Sequence, residues 1–209
     1  MGAAERWREL LAGLPLVAVL RGVVPDEAAD IAEALFDAGW RCVEVTLSSP
    51  QPLAGIAAIR ARMGDKMVVG AGTVLTPAEV GEVAAAGAEL IVSPNVDPAV
   101  IAQTKAAGLI SLPGVFTPSE AFATLAAGAH GLKLFPAEAA SPVALKALLA
   151  VLPPEAAVLP VGGIEPASMA PWRAAGAAGF GIGGALFRPG RTASDVAARA
   201  AAFAAPWAV

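Results

Sequence analysis

Apolar residues gather along this chain in eight short runs, separated by longer alanine-rich stretches. The runs are residues 16–22 (LVAVLRG), 41–48 (RCVEVTLS), 67–74 (MVVGAGTV), 90–95 (LIVSPN), 109–115 (LISLPGV), 131–136 (GLKLFP), 157–164 (AVLPVGGI) and 179–187 (GFGIGGALF). Short, nearly continuous apolar runs read as strands buried on both faces, the habit of parallel sheets. Their starts fall 19 to 26 residues apart, which leaves room for a crossover helix after each. The helix starts are written in the polar positions. Thr76-Pro77-Ala78-Glu79 and Thr117-Pro118-Ser119-Glu120 put threonine at the N-cap, proline at the first helical position and glutamate three residues on. Pro25-Asp26-Glu27 opens another helix. The Ala-Gly steps at 38–39, 86–87, 107–108, 127–128 and 175–176 mark helix stops.

Eight strand–helix units predict an α/β chain folded as a (β/α)8 TIM barrel, a single domain across residues 1–209. An additional N-terminal helix over residues 3–12 is placed to cover the barrel's bottom. A doubly wound open sheet is the alternative, but it usually needs fewer strands.

Composition narrows the class. The chain has 209 residues, 56% of them apolar and 15% charged, which excludes a disordered chain. Mean hydropathy is +0.66, yet 52 alanines supply much of the apolar count. The longest charge-free run, residues 45–59, has 15 residues and contains Pro50 and Pro52, short of the ~20 a spanning helix needs. No membrane association is expected. Net charge is −4, without a Lys/Arg cluster, so no nucleic-acid partner is expected either. The start, MGAAERWREL, lacks an apolar signal core. The single cysteine, Cys42, fits a reducing compartment, and the expectation is a cytoplasmic protein. With one histidine, His130, no metal site is expected.

Because strands of this kind hold almost no charge, the exceptions are informative. Lys133 sits between Leu132 and Leu134, and Glu44 between Val43 and Val45. Arg21 closes the first run and Thr73 lies near the end of the third. Active sites of such barrels lie at the C-terminal ends of the strands. A lysine among apolar walls loses its charge more easily, and a neutral amine attacks ketones. Glu44 could carry protons for that chemistry, or pair with Lys133 or Arg21 for structure. Gly162-Gly163 and Gly183-Gly184 end the last two runs, where barrels commonly bind phosphate. Residues 179–184 also match G-x-G-x-x-G, but without a following βαβ strand or the acidic residue a dinucleotide site needs.

At these residues the sequence resembles a known family. The segments VEVTL, VGAGTVLTP, SPN, LKLFPAE and PVGGI are similar to those of the 2-keto-3-deoxy-6-phosphogluconate / 6-phosphogalactonate aldolases, class I aldolases of bacterial sugar-acid catabolism. The likeness runs from about Leu16 to Gly190. It implies a lyase with a (β/α)8 barrel, a homotrimer, no metal or organic cofactor, and a phosphorylated sugar acid and pyruvate as its small-molecule partners. It further implies Lys133 as the Schiff-base lysine and Glu44 as the general acid/base. Thr73 would contact substrate and Arg21 would meet its carboxylate end. Pro94 and Phe135 would line the pyruvate pocket, and Gly162, Gly163, Gly183 and Gly184 would form the phosphate loops.

Three features resemble the galactonate branch. Val161 stands where gluconate-type members usually carry threonine for the C4 hydroxyl. Ser48 stands where they usually carry arginine. Trp172 follows PVGGI at the galactonate-type spacing. One departure is the last glycine loop, Gly183-Gly184-Ala185, which lacks the serine common in the family. The expected activity is cleavage of 2-dehydro-3-deoxy-6-phosphogalactonate to pyruvate and D-glyceraldehyde 3-phosphate. The alternatives are the gluconate or 4-hydroxy-2-oxoglutarate aldolase of the same family, a phosphate-binding isomerase or synthase barrel, and a non-catalytic sugar-phosphate-binding barrel.

Overall fold

In the computed structural model, residues 2–207 are described. Helix α1 (Ala3–Ala12) comes first, followed by strands and helices in alternation. The strands are β1 (Leu16–Leu20), β2 (Cys42–Thr46), β3 (Val68–Gly72), β4 (Leu90–Val92), β5 (Ile110–Leu112), β6 (Gly114–Val115), β7 (Leu132–Leu134), β8 (Val158–Pro160) and β9 (Phe180–Ile182). The helices between and after them are α2 (Pro25–Asp37), α3 (Pro52–Met63), α4 (Pro77–Ala85), α5 (Pro98–Ala106), α6 (Pro118–Ala126), α7 (Pro142–Leu149), α8 (Met169–Ala174) and α9 (Ala193–Ala204). The threonine caps form as the sequence predicts: Thr76 and Thr117 each accept the backbone N–H of the glutamate three residues on. The Ala-Gly stops also form, Gly87 for example turning to φ 98° after α4.

All strand pairs are parallel, in the orders β5-β4-β3-β2-β1-β9 and β6-β7-β8. The predicted fifth run is divided at Pro113, which has no N–H to give the ladder. Backbone bonds cross both gaps between the two sheets. On one side His130 N–H donates to the Ser111 carbonyl (2.9 Å) and Lys133 N–H to the Pro113 carbonyl (2.9 Å). On the other, Ala178 N–H donates to the Val158 carbonyl (3.0 Å), and Val161 bridges Gly181.

Period-two alternation sorts the strand residues into two cores. Leu16, Ala18, Leu20, Val43, Val45, Val69, Ala71, Phe180 and Ile182 pack under the helices. Val17, Cys42, Val68, Leu90, Val92, Ile110, Leu112 and Leu159 pack on one another from the opposite face, with Trp7 and Leu10 of α1 set against them. Thus α1 closes the N-terminal end of the strands, and the C-terminal end is left for a site. No helix among the described residues is long and apolar enough to cross a membrane.

Candidate active site

Strand alternation decides where the two strand charges point. Val43 and Val45 belong to the helix-side core, so Glu44 between them faces the opposite way; Leu132 and Leu134 fix Lys133 likewise. Both are buried, Glu44 at 1% exposure and Lys133 at 6%. They line one void of about 10 Å³ together with Val17, Val19 and Val161, about the room of a single water. The ion pairs among the described residues join Arg60 to Asp65 and Glu89, and Arg62 to Asp30 and Glu33. Neither Glu44 nor Lys133 takes part, so the salt-bridge reading of Glu44 finds no support. Its Oε2 has no hydrogen-bond partner among the described residues. A buried oxygen left unpaired costs stability and calls for an explanation outside structure.

The electrostatics push both groups toward neutrality. Burial raises the Glu44 pKa, with Lys133 and then Arg21 pulling it back down. Burial lowers that of Lys133, opposed by Glu44 and assisted by Arg21. A carboxyl and an amine whose pKa values are shifted toward one another in this way exchange a proton more readily than the free groups do. The Lys133 Nζ lies 4.8 Å from the centroid of the Phe135 ring.

Around Lys133, at the C-terminal end of the strands, is a cavity of about 410 Å³. Its wall brings together Arg21, Lys133, Phe135, Val161, Gly162, Gly163, Gly183 and Gly184, residues drawn from four separate runs. Glu44 adjoins Lys133 in the smaller void rather than lining this wall. Thr73 and Pro94 follow β3 and β4 at the same end, outside the cavity wall. Thr73 is held at φ 61°, a costly conformation for a β-branched residue. The Pro94 carbonyl abuts Gly114, where any Cβ would collide with it, and Gly114 is the register partner of Lys133. That contact packs the loop after β4 against the lysine's neighbour.

Three hydroxyls hold the Arg21 segment: that of Ser48, marked in the sequence as a branch feature, and those of Ser49 and Thr46, which were not singled out. The Arg21 guanidinium donates to Ser48 Oγ (3.3 Å), and Gly22 N–H donates to Ser49 Oγ (2.9 Å). Thr46 Oγ1 lies 3.1 Å from both serine hydroxyls. In the glycine loops, Gly162 and Gly163 take φ of 110° and 63°, conformations that a side chain would strain. The N–H groups of Gly163, Gly183 and Gly184 make no hydrogen bond among the described residues, and such free donors suit an anion. Also on the wall, and not foreseen, are Glu138, Glu165, Phe187 and Arg188. The Glu138 carboxylate rests against Gly162 and Gly163. His130 stands apart: its Nδ1 accepts the Ser111 N–H at 3.1 Å, and burial, then Lys105, lowers its pKa. Among the described residues no three His, Cys, Asp or Glu side chains group to hold a metal ion.

Known proteins resemble this chain in sequence and fold. The family model described as "KDPG and KHG aldolase" matches residues 8–200. The 2-dehydro-3-deoxy-6-phosphogalactonate aldolase of Escherichia coli K12 is 47% identical over 190 residues, 91% of this chain and 93% of that protein. A solved structure of native KDPGal superposes with a TM-score of 0.91 at 46% identity, covering 93% of this chain and 94% of its own. A cube-shaped protein cage designed by fusing symmetric oligomeric domains matches equally well, with a TM-score of 0.91 at 46% identity over 93% of this chain and 72% of the cage chain. The chain belongs to the KDPG and KHG aldolase family.

Proposed function

We propose that the protein is a class I aldolase that cleaves 2-dehydro-3-deoxy-6-phosphogalactonate to pyruvate and D-glyceraldehyde 3-phosphate. The observation that carries this reading is the desolvated Lys133 amine beside the unpaired Glu44 carboxyl, adjoining a cavity large enough for a sugar acid. Lys133 Nζ attacks the C2 ketone, and Glu44 moves protons so that the carbinolamine oxygen leaves as water. The protonated imine then draws electrons from the C3–C4 bond while Glu44, directly or through water, takes the C4 hydroxyl proton. Glyceraldehyde 3-phosphate departs, C3 of the enamine is protonated, and one water hydrolyses the imine to pyruvate and free Lys133. In this scheme Arg21 meets the substrate carboxylate, Thr73 contacts substrate, Pro94 and Phe135 flank pyruvate, and the two glycine loops receive the phosphate.

The galacto assignment is supported by Val161, whose apolar side chain precedes the Gly162 turn and offers nothing to a gluco hydroxyl. The name of the Escherichia coli relative supports it too. A closed (β/α)8 barrel is supported by the backbone bonds across both gaps between the sheets, and a single domain over 1–209 by core clusters whose buried members run from Trp7 to Phe203. The homotrimer comes from the family resemblance; the cage of fused symmetric oligomeric domains supports a symmetric oligomer. The lone free thiol of Cys42 suits the cytoplasm, and galactonate catabolism is the role this chemistry serves there.

Incubation with pyruvate and borohydride tests the mechanism. The expected result is one reduced pyruvate adduct on the peptide carrying Lys133. No adduct, under conditions that trap a control aldolase, overturns the Schiff-base reading.

A further inference from the structure

Three guanidinium groups converge on the last glycine loop. Arg188 Nε donates to the Gly184 carbonyl at 2.9 Å. Arg191 Nη1 donates to both the Gly184 and Ala185 carbonyls at 3.0 Å. Arg199, on α9, reaches the Ala185 carbonyl from behind at 3.2 Å. None of the three is in an ion pair among the described residues. They are close enough to feel one another: the Arg191 pKa is lowered first by desolvation and then by Arg199 and Arg188, with Asp195 and Glu165 opposing. Three guanidinium groups are thus gathered at this loop, their charge partly offset by Asp195 and Glu165, and Arg188 among them lines the cavity. Glu138 rests on the other glycine pair, and Glu165, near enough to act on Arg191, lines the wall as well. A dianion entering between the loops is repelled by Glu138 and attracted by Arg188.

We propose that Arg188 binds the substrate phosphate directly, and that Arg191 and Arg199 position the loop for it, replacing the missing loop hydroxyl. A trans peptide points its N–H opposite its carbonyl. Arginines that hold the Gly184 carbonyl on one side therefore turn the Ala185 N–H to the other, and Ala185 lines the cavity. Arg188 also lines the cavity, and its two Nη groups donate to no acceptor among the described residues. A guanidinium with one edge tied to the loop and the other edge free is a preorganised phosphate donor. Gly184 packs beside it: a Cβ there would stand 3.4 Å from Arg188 Nε, in ordinary van der Waals contact.

This inference rests on the aldolase reading, and the test separates the two. Arg188→Met is compared with the unsubstituted enzyme on the phosphorylated sugar acid, on its unphosphorylated counterpart, and for inhibition by inorganic phosphate. The expected result is a KM for the phosphorylated substrate raised about 10- to 100-fold, the loss of a charge-assisted contact, with kcat within about twofold. Turnover of the unphosphorylated acid stays level, and phosphate inhibition disappears. Arg191→Ala raises the same KM, and Arg191→Lys, which keeps a donor for the two carbonyls, restores it. An equal loss on both substrates, or phosphate inhibition that survives Arg188→Met, overturns the inference. Pyruvate trapping on Lys133 is independent of it: trapping that persists while phosphate discrimination is unchanged refutes the arginine role alone, whereas absent trapping refutes the aldolase reading.

Discussion

The Glu44 carboxyl lies directly against the Cα of Gly72, so that a Cβ at that position would stand 2.8 Å from its Cδ, Oε1 and Oε2 alike. Gly72 closes β3 beside β2, opposite Thr46 in the register, and no φ in the left-handed region demands glycine there. Its role is to leave space for the carboxyl. Gly72→Ala should therefore displace Glu44 and cut kcat at least about 10-fold, since proton transfer depends on placement. In a background of Glu44→Ala the same substitution should cost little further stability, the colliding partner being gone. Urea midpoints of the four proteins in this cycle check it. Additive losses would show that Gly72 serves the backbone instead of the carboxyl.

The ionisation of Lys133 can be moved by its neighbour. Burial depresses the lysine, and the Glu44 charge is the main influence holding it up. Glu44→Gln removes that anion, so the Lys133 pKa should fall further. Reductive methylation, which needs the free amine, should then rise to its plateau at lower pH in the variant than in the parent. Turnover should meanwhile drop by roughly 10²–10⁴, the usual worth of a general acid–base group. Site-resolved mass spectrometry across pH reads the first effect. A midpoint that stays put or moves upward contradicts the coupling between the two residues.

The same burial has a stability consequence. The folded pKa of Lys133 lies below its unfolded value, so between the two the unfolded chain holds more protons and stability rises with pH. The folded pKa of Glu44 lies above its unfolded value, so stability falls as pH rises through that window. At neutral pH both groups weigh against the fold. Lys133→Met with Glu44→Gln should stabilise the inactive protein by about 1–4 kcal/mol, as replacing a buried charge pair often does. Lys133→Met alone should gain less, because it strips from Glu44 the cation that favours its charged form. Denaturant midpoints at pH 7 decide it; a double variant less stable than the parent would make the pair structural.

What could be read from the sequence was what depends on near neighbours or on a broken rule. Thr76, Thr117 and the Ala-Gly steps act over one helical turn, and the structure keeps them. Glu44 and Lys133 stood out because apolar strands have no ordinary place for charge, and alternation then turned both to the same side. Arg188, Arg191 and Arg199 gave no such signal. Arginine in a polar loop or on a helix face is commonplace, and only the folded loop brings all three to two carbonyls. The Ser48 and Ser49 hydroxyls, the Glu138 contact with Gly162 and the φ of Thr73 are likewise products of long-range packing. The division of the fifth run at Pro113 had a local cause, a missing N–H, but its effect on the sheets depends on strands far apart in sequence.

The proposed galacto preference makes Val161 the residue to test. Val161 is nearly buried, lines the cavity, and presses its Cγ2 toward Gly181, where a Cβ would lie 2.7 Å away. The space is therefore fixed from below, and the side chain cannot withdraw to admit a differently placed hydroxyl. Threonine has nearly the same shape but carries a hydroxyl in place of a methyl. Val161→Thr should leave the fold unchanged and give the gluco C4 hydroxyl a partner. A neutral hydrogen bond contributes roughly 0.5–1.5 kcal/mol, so the gluco/galacto ratio of kcat/KM should rise about 2- to 10-fold. Side-by-side assays of the two phosphorylated epimers measure it. If the parent enzyme already prefers the gluco compound, the galacto assignment fails at once; if it prefers the galacto compound and the substitution leaves the ratio unchanged, selectivity lies elsewhere in the cavity, and the Ser48–Arg21 contact becomes the position to test.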